Sequence, residues 1–209
     1  MPGYAFRPAT RADLPMLRNW LMTPEVVRWW GNPAEQYALL EQDLANPLMV
    51  MRIVACDGRP FAYVQDYDVH TWPQAHFAHL PEGARGIDAF IGVPGMIGRG
   101  HGAAFLRERA TELIAAGAPL VAIDPDAANL RARRAYAKAG FVETLLIATP
   151  AGPVVVMVFQ GANADPLPTS KAGRGDRLHR DHRIPAALRA DLYLYHSPTR
   201  RGNGRTCRP

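Results

Sequence analysis

The segment from Gly95 to Ala110, GMIGRGHGAAFLRERA, has glycine at three alternate positions immediately before a helical pattern. These glycines are Gly98, Gly100 and Gly102, and the apolar run AFIGV precedes them. A glycine-rich loop between a strand and a helix N-terminus turns successive backbone N–H groups toward one point, where the helix dipole adds partial positive charge. The loop therefore predicts a diphosphate site, although its spacing matches neither the Walker motif nor GxGxxG.

The segments around this loop alternate between strand and helix patterns. Apolar runs predict strands at 4–7, 48–55, 61–69, 85–93, 119–124, 141–149 and 152–160. Helical patterns follow Thr10 and cover 24–30, 34–44, 103–116 and 127–139. The pair Asp57-Gly58 predicts a tight turn between the second and third strands. This order predicts an α/β fold, with a mixed central β-sheet and helices on both faces.

The distribution of charge predicts a domain boundary near residue 160. Residues 1–160 contain 14 Lys and Arg against 15 Asp and Glu, whereas residues 161–209 contain 10 against 4. The second segment is rich in Arg, Pro and Gly and has one short apolar patch, IPAALRADLYLY. We therefore expect one domain over 1–160, followed by a basic, disordered tail over 161–209. Because the first segment is near neutral, nucleic acid is not an expected partner.

The sequence carries no targeting or membrane signal that we recognise. The N-terminus lacks the apolar run of a signal peptide, and no stretch of about 18 apolar residues is present. We therefore expect a cytoplasmic protein without a membrane partner. Cys56 and Cys207 predict neither a disulfide framework nor a zinc site. His70, His76 and His79 also lack metal-ligand spacing, so no metal is expected.

A second strand–helix unit follows the glycine loop and contains DAANLRARRAYAKAGF. Together with IGRGHG, this unit resembles the acyl-CoA-binding core of the GNAT acetyltransferase superfamily. The resemblance implies a GNAT fold in which a splayed pair of parallel strands binds acetyl-CoA as a co-substrate. The residues that it implies for this binding are Phe90, Ile91, Ile97, Gly98, Arg99, Gly100, His101, Gly102, Ala103, Asn129 and Tyr136.

Five ordered segments sharpen the resemblance. VVRWWGNP, FAYVQDYD, ARGIDAFIG, AIDPDAANLRARRAYAKAGF and TPAGPVVVMV are similar to segments of the aminoglycoside 6'-N-acetyltransferases. The resemblance covers about residues 4–160 and implies acetylation of a cationic amine, the 6'-amine of an aminoglycoside antibiotic, by a monomer or homodimer. The chain departs from the family at Ile97, where Gln or Arg is usual, and at Ala151, where Asp is expected. The composition of the loop between Tyr67 and Arg85 also differs.

Acetylation of an amine requires a group that accepts the ammonium proton. Asp88, on the strand before the glycine loop, is the predicted base and also an acceptor-binding residue. Asp124, at the end of the neighbouring strand, is predicted to attract the cationic acceptor. Tyr136 is predicted to protonate the leaving thiolate. The structural alternatives are an arginine pair for Asp88, a helix cap for Asp124 and core packing for Tyr136.

Further acceptor contacts are predicted from aromatic and polar side chains. Trp29 and Trp30 offer flat surfaces for sugar rings, and we expect one of them to close a hydrophobic cluster instead. Gln65 and Tyr67 are predicted to line the same pocket from the third strand. Additional negative charge is expected from Asp66, Asp68 and Asp126.

Two other functions compete with this interpretation. Hydroxamate-siderophore acyltransferases, which acylate an N-hydroxylated lysine-type amine, are similar in this part of the superfamily and favour a longer, less acidic pocket. A non-catalytic scaffold, or a protein that binds nucleic acid through its basic tail, belongs to a different class. Intact Asp88, Asn129 and Tyr136 argue against the scaffold.

Overall fold

The computed structural model describes residues 3–161, so the predicted tail lies outside the described residues. The strands are β1 (Tyr4–Pro8), β2 (Val50–Cys56), β3 (Arg59–Asp68), β4 (Arg85–Ile91), β5 (Val121–Ile123), β6 (Phe141–Thr149) and β7 (Gly152–Phe159). The helices are α1 (Leu14–Leu21), α2 (Pro24–Trp30), α3 (Pro33–Asp43), α4 (His101–Ala115) and α5 (Leu130–Ala139).

The seven strands form one mixed sheet in the order β1-β2-β3-β4-β5-β7-β6. Only β4 and β5 are parallel neighbours, and the other neighbouring pairs are antiparallel. Side chains of α1, α2 and α3 pack in one core cluster with Ile53, Tyr63 and Phe90. Side chains of α4 and α5 pack in a second cluster with Val64 and Ile87. The neighbouring residues Tyr63 and Val64 point to opposite faces of β3, so helices cover both faces of the sheet, as predicted.

The parallel pair β4–β5 is splayed. Only Arg85 and Gly86 of β4 pair with β5, opposite Val121 and Ala122. β4 continues to Ile91 beside β3, whereas β5 ends at Ile123. The strands therefore separate toward their carboxyl ends and leave a gap between them. This confirms the predicted fold class.

Local chemistry determines where several elements begin. Asp57 and Gly58 both have positive φ, so the β2–β3 connection is the tight turn that the sequence predicts. Helix α5 begins at Leu130 rather than at Ala127, because Asn129 is its N-cap and accepts from the Ala132 N–H. Among residues 3–161, no helix is long and apolar enough to span a bilayer.

Candidate active site

A cavity of about 410 Å³ lies beside the carboxyl-terminal part of β4, which does not pair with β5. Ala89, Phe90 and Ile91 of β4 form one wall, and α4 and α5 form the others. Most of the predicted coenzyme residues line it, namely Phe90, Ile91, Ile97, Gly98, Gly100, Gly102, Ala103, Asn129 and Tyr136. Trp29 and Trp30 also line it, from α2. The structure therefore brings residues from four separate segments around one space.

The glycine loop exposes a run of backbone donors at the N-terminus of α4. Gly98 and Gly100 have φ of +78° and +88°, a left-handed conformation that glycine adopts without steric cost. Within the described residues, the N–H groups of Gly100, Gly102 and Ala103 make no backbone hydrogen bond. Helix first-turn N–H groups have no intrahelical partner, so these donors are available to an anion.

Some side chains of the loop point elsewhere. The His101 ring contacts the Tyr4 hydroxyl, with 2.9 Å between Nδ1 and Oη, and also packs against Phe61. This interaction turns the imidazole toward β1, so a role for His101 in diphosphate binding would depend on its backbone N–H. Arg99 is exposed and does not line the cavity. Both residues stay predictions as coenzyme contacts.

The two predicted carboxylates have different partners. Asp88 is half-buried on β4, and its Oδ2 accepts from the Gln65 amide at 2.9 Å. Gln65 is in turn fixed by the buried Tyr63 hydroxyl, which donates to Gln65 Oε1 at 2.7 Å. Arg85, the arginine named as a structural alternative for Asp88, pairs with Asp66 instead. Gln65 therefore orients Asp88 rather than lining an open pocket, because only 3% of its surface is exposed.

Asp124 follows β5 and meets the loop between β3 and β4. Its Oδ2 lies 2.8 Å from Nε2 of His76, in ion-pair distance. The ring N–H does not point along this line, so the contact is not an aligned hydrogen bond. The α5 cap is Asn129, so Asp124 is not the helix cap that the structural alternative proposed.

Two tyrosines stand beside these carboxylates. Burial raises the pKa of the Tyr136 hydroxyl, and the negative charges of Asp88 and Asp124 raise it further. Burial and the same two carboxylates also raise the pKa of Tyr67. A Cβ added at Gly86 would lie 2.8 Å from the Tyr67 ring, so this ring packs directly on the β4 backbone. Both phenols stay protonated near neutral pH, and the four side chains form one cluster, the acceptor cluster.

The adjacent tryptophans both line the cavity but have different neighbours. Trp30 packs edge-on against Phe90, with 4.8 Å between ring centroids, and contacts the Tyr63 ring. It thus belongs to the hydrophobic cluster. Trp29 lies beneath the Arg28 guanidinium and lines both the main cavity and a neighbouring one of about 360 Å³.

The prediction that Asp66 adds negative charge to the acceptor pocket is wrong. Asp66 is 1% exposed and forms ion pairs with Arg85 and Arg109, at 2.5 and 2.7 Å. Asp68 accepts from the backbone N–H groups of His70 and Thr71, and Asp126 accepts from that of Ala128. These carboxylates stabilise the protein's own turns and helices.

Comparison with known proteins places this site in a family. Residues 9–149 match the sequence profile of the acetyltransferase (GNAT) domain. The chain belongs to the GNAT acetyltransferase family. It is 33% identical over 163 residues to aminoglycoside N(6')-acetyltransferase type 1 of Klebsiella pneumoniae, covering 71% of this chain and 79% of the relative. It is 40% identical over 78 residues to a kanamycin resistance protein of Rhizobium radiobacter, covering 36% and 71%.

Solved structures of GNAT enzymes show the same fold. The crystal structure of aminoglycoside acetyltransferase AAC(6')-Ib with coenzyme A and kanamycin is 31% identical, with a TM-score of 0.66, and the match covers 75% of this chain and 94% of that one. A complex of the same enzyme with coenzyme A has a TM-score of 0.65 at 33% identity and the same coverage.

The structure adds cavity residues that sequence reasoning missed. Arg131, Arg134 and Lys138 line the cavity from α5. Their spacing puts them on one helical face, a pattern visible in the sequence once α5 is assigned. Glu25 lines the cavity opposite them, from α2. His76 was also missed, because no local pattern links it to Asp124.

Proposed function

We propose that this GNAT enzyme transfers the acetyl group of acetyl-CoA to the 6'-amine of an aminoglycoside. The observation that carries the proposal is the cavity that joins the backbone donors of the glycine loop to Tyr136, whose hydroxyl senses the charges of Asp88 and Asp124. The loop offers donors to an anion, and the two carboxylates, which lie outside the cavity lining but act on Tyr136, offer negative charge to a cation. Acetyl-CoA and a polyamine sugar match these two features.

The coenzyme half fits a phosphate-rich substrate. The N–H groups of the loop suit a diphosphate, and the three basic side chains of α5 supply positive charge for the remaining phosphate. The polar cap residue Asn129 lines the same cavity as the loop and Tyr136, and its amide suits the amide-bearing pantetheine arm. No metal is needed for this binding.

The chemistry follows from the acceptor cluster. Asp88 takes a proton from the acceptor ammonium, and the neutral amine attacks the thioester carbonyl carbon. The C–N bond forms, the C–S bond breaks, the nitrogen releases its second proton to solvent, and the Tyr136 hydroxyl donates its proton to the leaving sulfur. The raised pKa of Tyr136 keeps this proton in place near neutral pH. The products are the acetylated amine and coenzyme A, and solvent restores both protonation states.

Direct transfer within a ternary complex is favoured over an acyl-enzyme. Cys56 ends β2 beside the Asp57-Gly58 turn, and it does not line the cavity. Burial also raises the pKa of its thiol, which opposes formation of a nucleophilic thiolate.

The relatives support the acceptor, and the charge of the site agrees with them. The chain is 33% identical to proteins named aminoglycoside N(6')-acetyltransferase, and a similar structure contains kanamycin. Antibiotic resistance is the corresponding biological role, and the cytoplasm, which contains acetyl-CoA, is the corresponding location. We also assign catalysis to residues 1–160 alone, because all of the site residues lie there.

One assay tests this function. The purified enzyme is mixed with acetyl-CoA and kanamycin, N-hydroxylysine or spermidine, and release of coenzyme A is measured. We expect turnover with kanamycin, acetylated at the 6'-amine by NMR of the product. Turnover with N-hydroxylysine alone would show that the enzyme is a siderophore-type acyltransferase. Absence of turnover with every amine would contradict the proposed acetyltransferase function.

A further inference from the structure

One side chain of the glycine loop connects it to the sheet. Three of the residues 98–102 are glycines, and Arg99 is exposed. The remaining residue is His101, the first residue of α4. Its Nδ1 lies 2.9 Å from the hydroxyl oxygen of Tyr4 on β1, and the two groups form a hydrogen bond. This bond joins the start of α4 to the strand at one edge of the sheet.

Aromatic packing holds the same two side chains in place. The centroid of the His101 ring lies 5.5 Å from that of Phe61 on β3. The Tyr4 ring packs against Phe61 and against Phe105 of α4, with centroids 6.0 and 6.4 Å apart. Burial raises the pKa of the Tyr4 hydroxyl, so this group keeps its proton near neutral pH. A phenol hydroxyl can donate to a ring nitrogen or accept from it, so the bond suits either neutral tautomer of His101.

The glycines on both sides of His101 have little support of their own. Gly98 and Gly100 have positive φ, and a Cβ added at either one would meet no atom of residues 3–161 within 4 Å. In the same described range, the N–H groups of Gly100 and Gly102 make no backbone hydrogen bond. Glycine loses more conformational freedom on ordering than any other residue, so these donors are costly to hold in one direction. A fixed side chain between them lowers that cost before a ligand binds.

We propose that Tyr4 and His101 are positioning residues for the coenzyme, because their hydrogen bond holds the backbone donors of the glycine loop in the direction that the diphosphate requires. This inference rests on the proposed function, in which the loop binds the diphosphate of acetyl-CoA. Neither side chain lines the cavity described above. His101 therefore acts through the backbone on each side of it, and Tyr4 acts through His101.

Calorimetry with coenzyme A tests this role without an acceptor. Tyr4→Phe removes the hydroxyl and keeps the ring that packs against Phe61. We expect its Kd for coenzyme A to rise about fivefold, the worth of one hydrogen bond. With acetyl-CoA and kanamycin as substrates, KM for acetyl-CoA should rise by the same factor, whereas kcat and KM for kanamycin should stay the same.

A second acyl donor shows whether the effect concerns the diphosphate. S-acetylpantetheine carries the thioester but lacks the diphosphate, so Tyr4→Phe should use it with the kcat/KM of the wild type. An equal loss of kcat/KM with both acyl donors would assign the effect to a general loss of structure and overturn the positioning role.

A double-mutant cycle isolates the hydrogen bond itself. His101→Leu keeps an apolar side chain beside Phe61 but has no ring nitrogen, and its Kd should also rise about fivefold. The double variant should bind coenzyme A no more weakly than either single variant, because each change breaks the same bond. A loss of about 25-fold in the double variant would show two independent effects and overturn the inference. If Tyr4→Phe does not fold, His101→Leu decides with the same two acyl donors.

Tyr37→Phe is the matched control. It removes the hydroxyl of another half-buried tyrosine, which lies on α3 and packs against the other core cluster. Its Kd for coenzyme A should equal that of the wild type. An unchanged Kd in Tyr4→Phe, while the wild type binds coenzyme A, overturns the positioning role and leaves the proposed function standing. Absence of coenzyme A binding by the wild type overturns both.

Discussion

The two halves of the proposed site are built from different parts of the chain. The proposed coenzyme half uses backbone N–H groups of one loop and one face of α5. The proposed acceptor half uses side chains that lie next to the cavity, on β3, β4, the residue after β5 and the loop before β4. The first half needs glycine and a helix start, whereas the second needs the whole sheet to assemble.

Because of this difference, side-chain substitutions should affect the two halves differently. Backbone donors are present whatever side chains surround them, so we expect the proposed coenzyme half to tolerate Ile97, which lines the cavity, in place of the Gln or Arg usual in the family. The acceptor half depends on charged side chains and on the partner of each one. Substitutions there should alter which amine is used and at what pH, without affecting coenzyme binding.

The largest effect is expected from Asp88→Asn. Asparagine still accepts from the Gln65 amide but cannot take the ammonium proton, so kcat should fall by about 10²-fold. Raising the pH supplies neutral amine and should restore part of the rate. Asp57→Asn, in the exposed β2–β3 turn, is the matched control and should be wild type. An unchanged kcat in Asp88→Asn would remove the proposed base.

Tyr136→Phe tests the acid in the same half. The variant should lose about tenfold or more in kcat, because the thiolate must leave unprotonated. Since burial raises the pKa of Tyr136, the wild-type rate should not decline with phenol ionisation until the pH exceeds about 10, the ordinary value for tyrosine. A pH–rate profile checks both points. If the wild-type rate declines below about pH 10 and the rate of Tyr136→Phe does not, the raised pKa of Tyr136 is contradicted.

Gly100→Ala tests the coenzyme half. A Cβ at this left-handed position should distort the loop and turn its donors away, which raises KM for acetyl-CoA by about tenfold, the worth of one charge-assisted hydrogen bond. Gly117→Ala is the control, because it introduces the same backbone strain at the far end of α4. A Cβ added at Gly100 or at Gly117 would have no protein atom within 4 Å, so neither variant causes a steric clash. Equal KM values for acetyl-CoA in the two variants would show that backbone strain, and not the loss of loop donors, causes the effect.

Asp124→Asn should have a smaller and different effect. Loss of one screened charge should raise KM for kanamycin about fivefold and leave KM for acetyl-CoA unchanged. The dependence of kcat/KM on salt concentration should also flatten, because fewer charges attract the acceptor. Asp57→Asn again serves as the control for a lost surface charge. A salt dependence as steep as that of the wild type would argue against an electrostatic role.

Truncation after Gln160 should have the smallest effect. Because both halves of the site lie before this point, kcat/KM should stay within about threefold, less than roughly 0.7 kcal/mol. Steady-state kinetics with both substrates measures this change. A large loss in a truncated protein with unchanged circular dichroism would show that the tail completes the site.

The sequence predicted the strand–loop–helix arrangement of the glycine loop better than the side-chain partners of the carboxylates, and the physical reason is locality. The glycine loop, the strand before it and the helix after it are encoded within one segment, and the structure contains all three. The start of α5 was misplaced because the turn at Asp126 and the Asn129 cap compete locally with the helix. Boundaries of this kind depend on one or two hydrogen bonds.

Side-chain partners in the acceptor half could not be predicted from local patterns. Asp66 and Asp88 both lie within apolar strand patterns in the sequence. In the structure, Asp66 forms an ion pair with Arg109 of α4, whereas Asp88 accepts a hydrogen bond from the Gln65 amide. The approach of His76 to Asp124 depends on how an irregular loop packs through Phe77. Likewise, only the packing of β1 on α4 shows that the His101 ring turns toward Tyr4.

Calorimetry on Gly100→Ala and Asp124→Asn tests most directly whether the site has separate coenzyme and acceptor halves. Binding of coenzyme A is measured first, and binding of kanamycin is then measured with coenzyme A saturating. The account predicts that Gly100→Ala weakens coenzyme A alone and that Asp124→Asn weakens kanamycin alone. Equal weakening of both ligands in both variants, or no change in either, would contradict it.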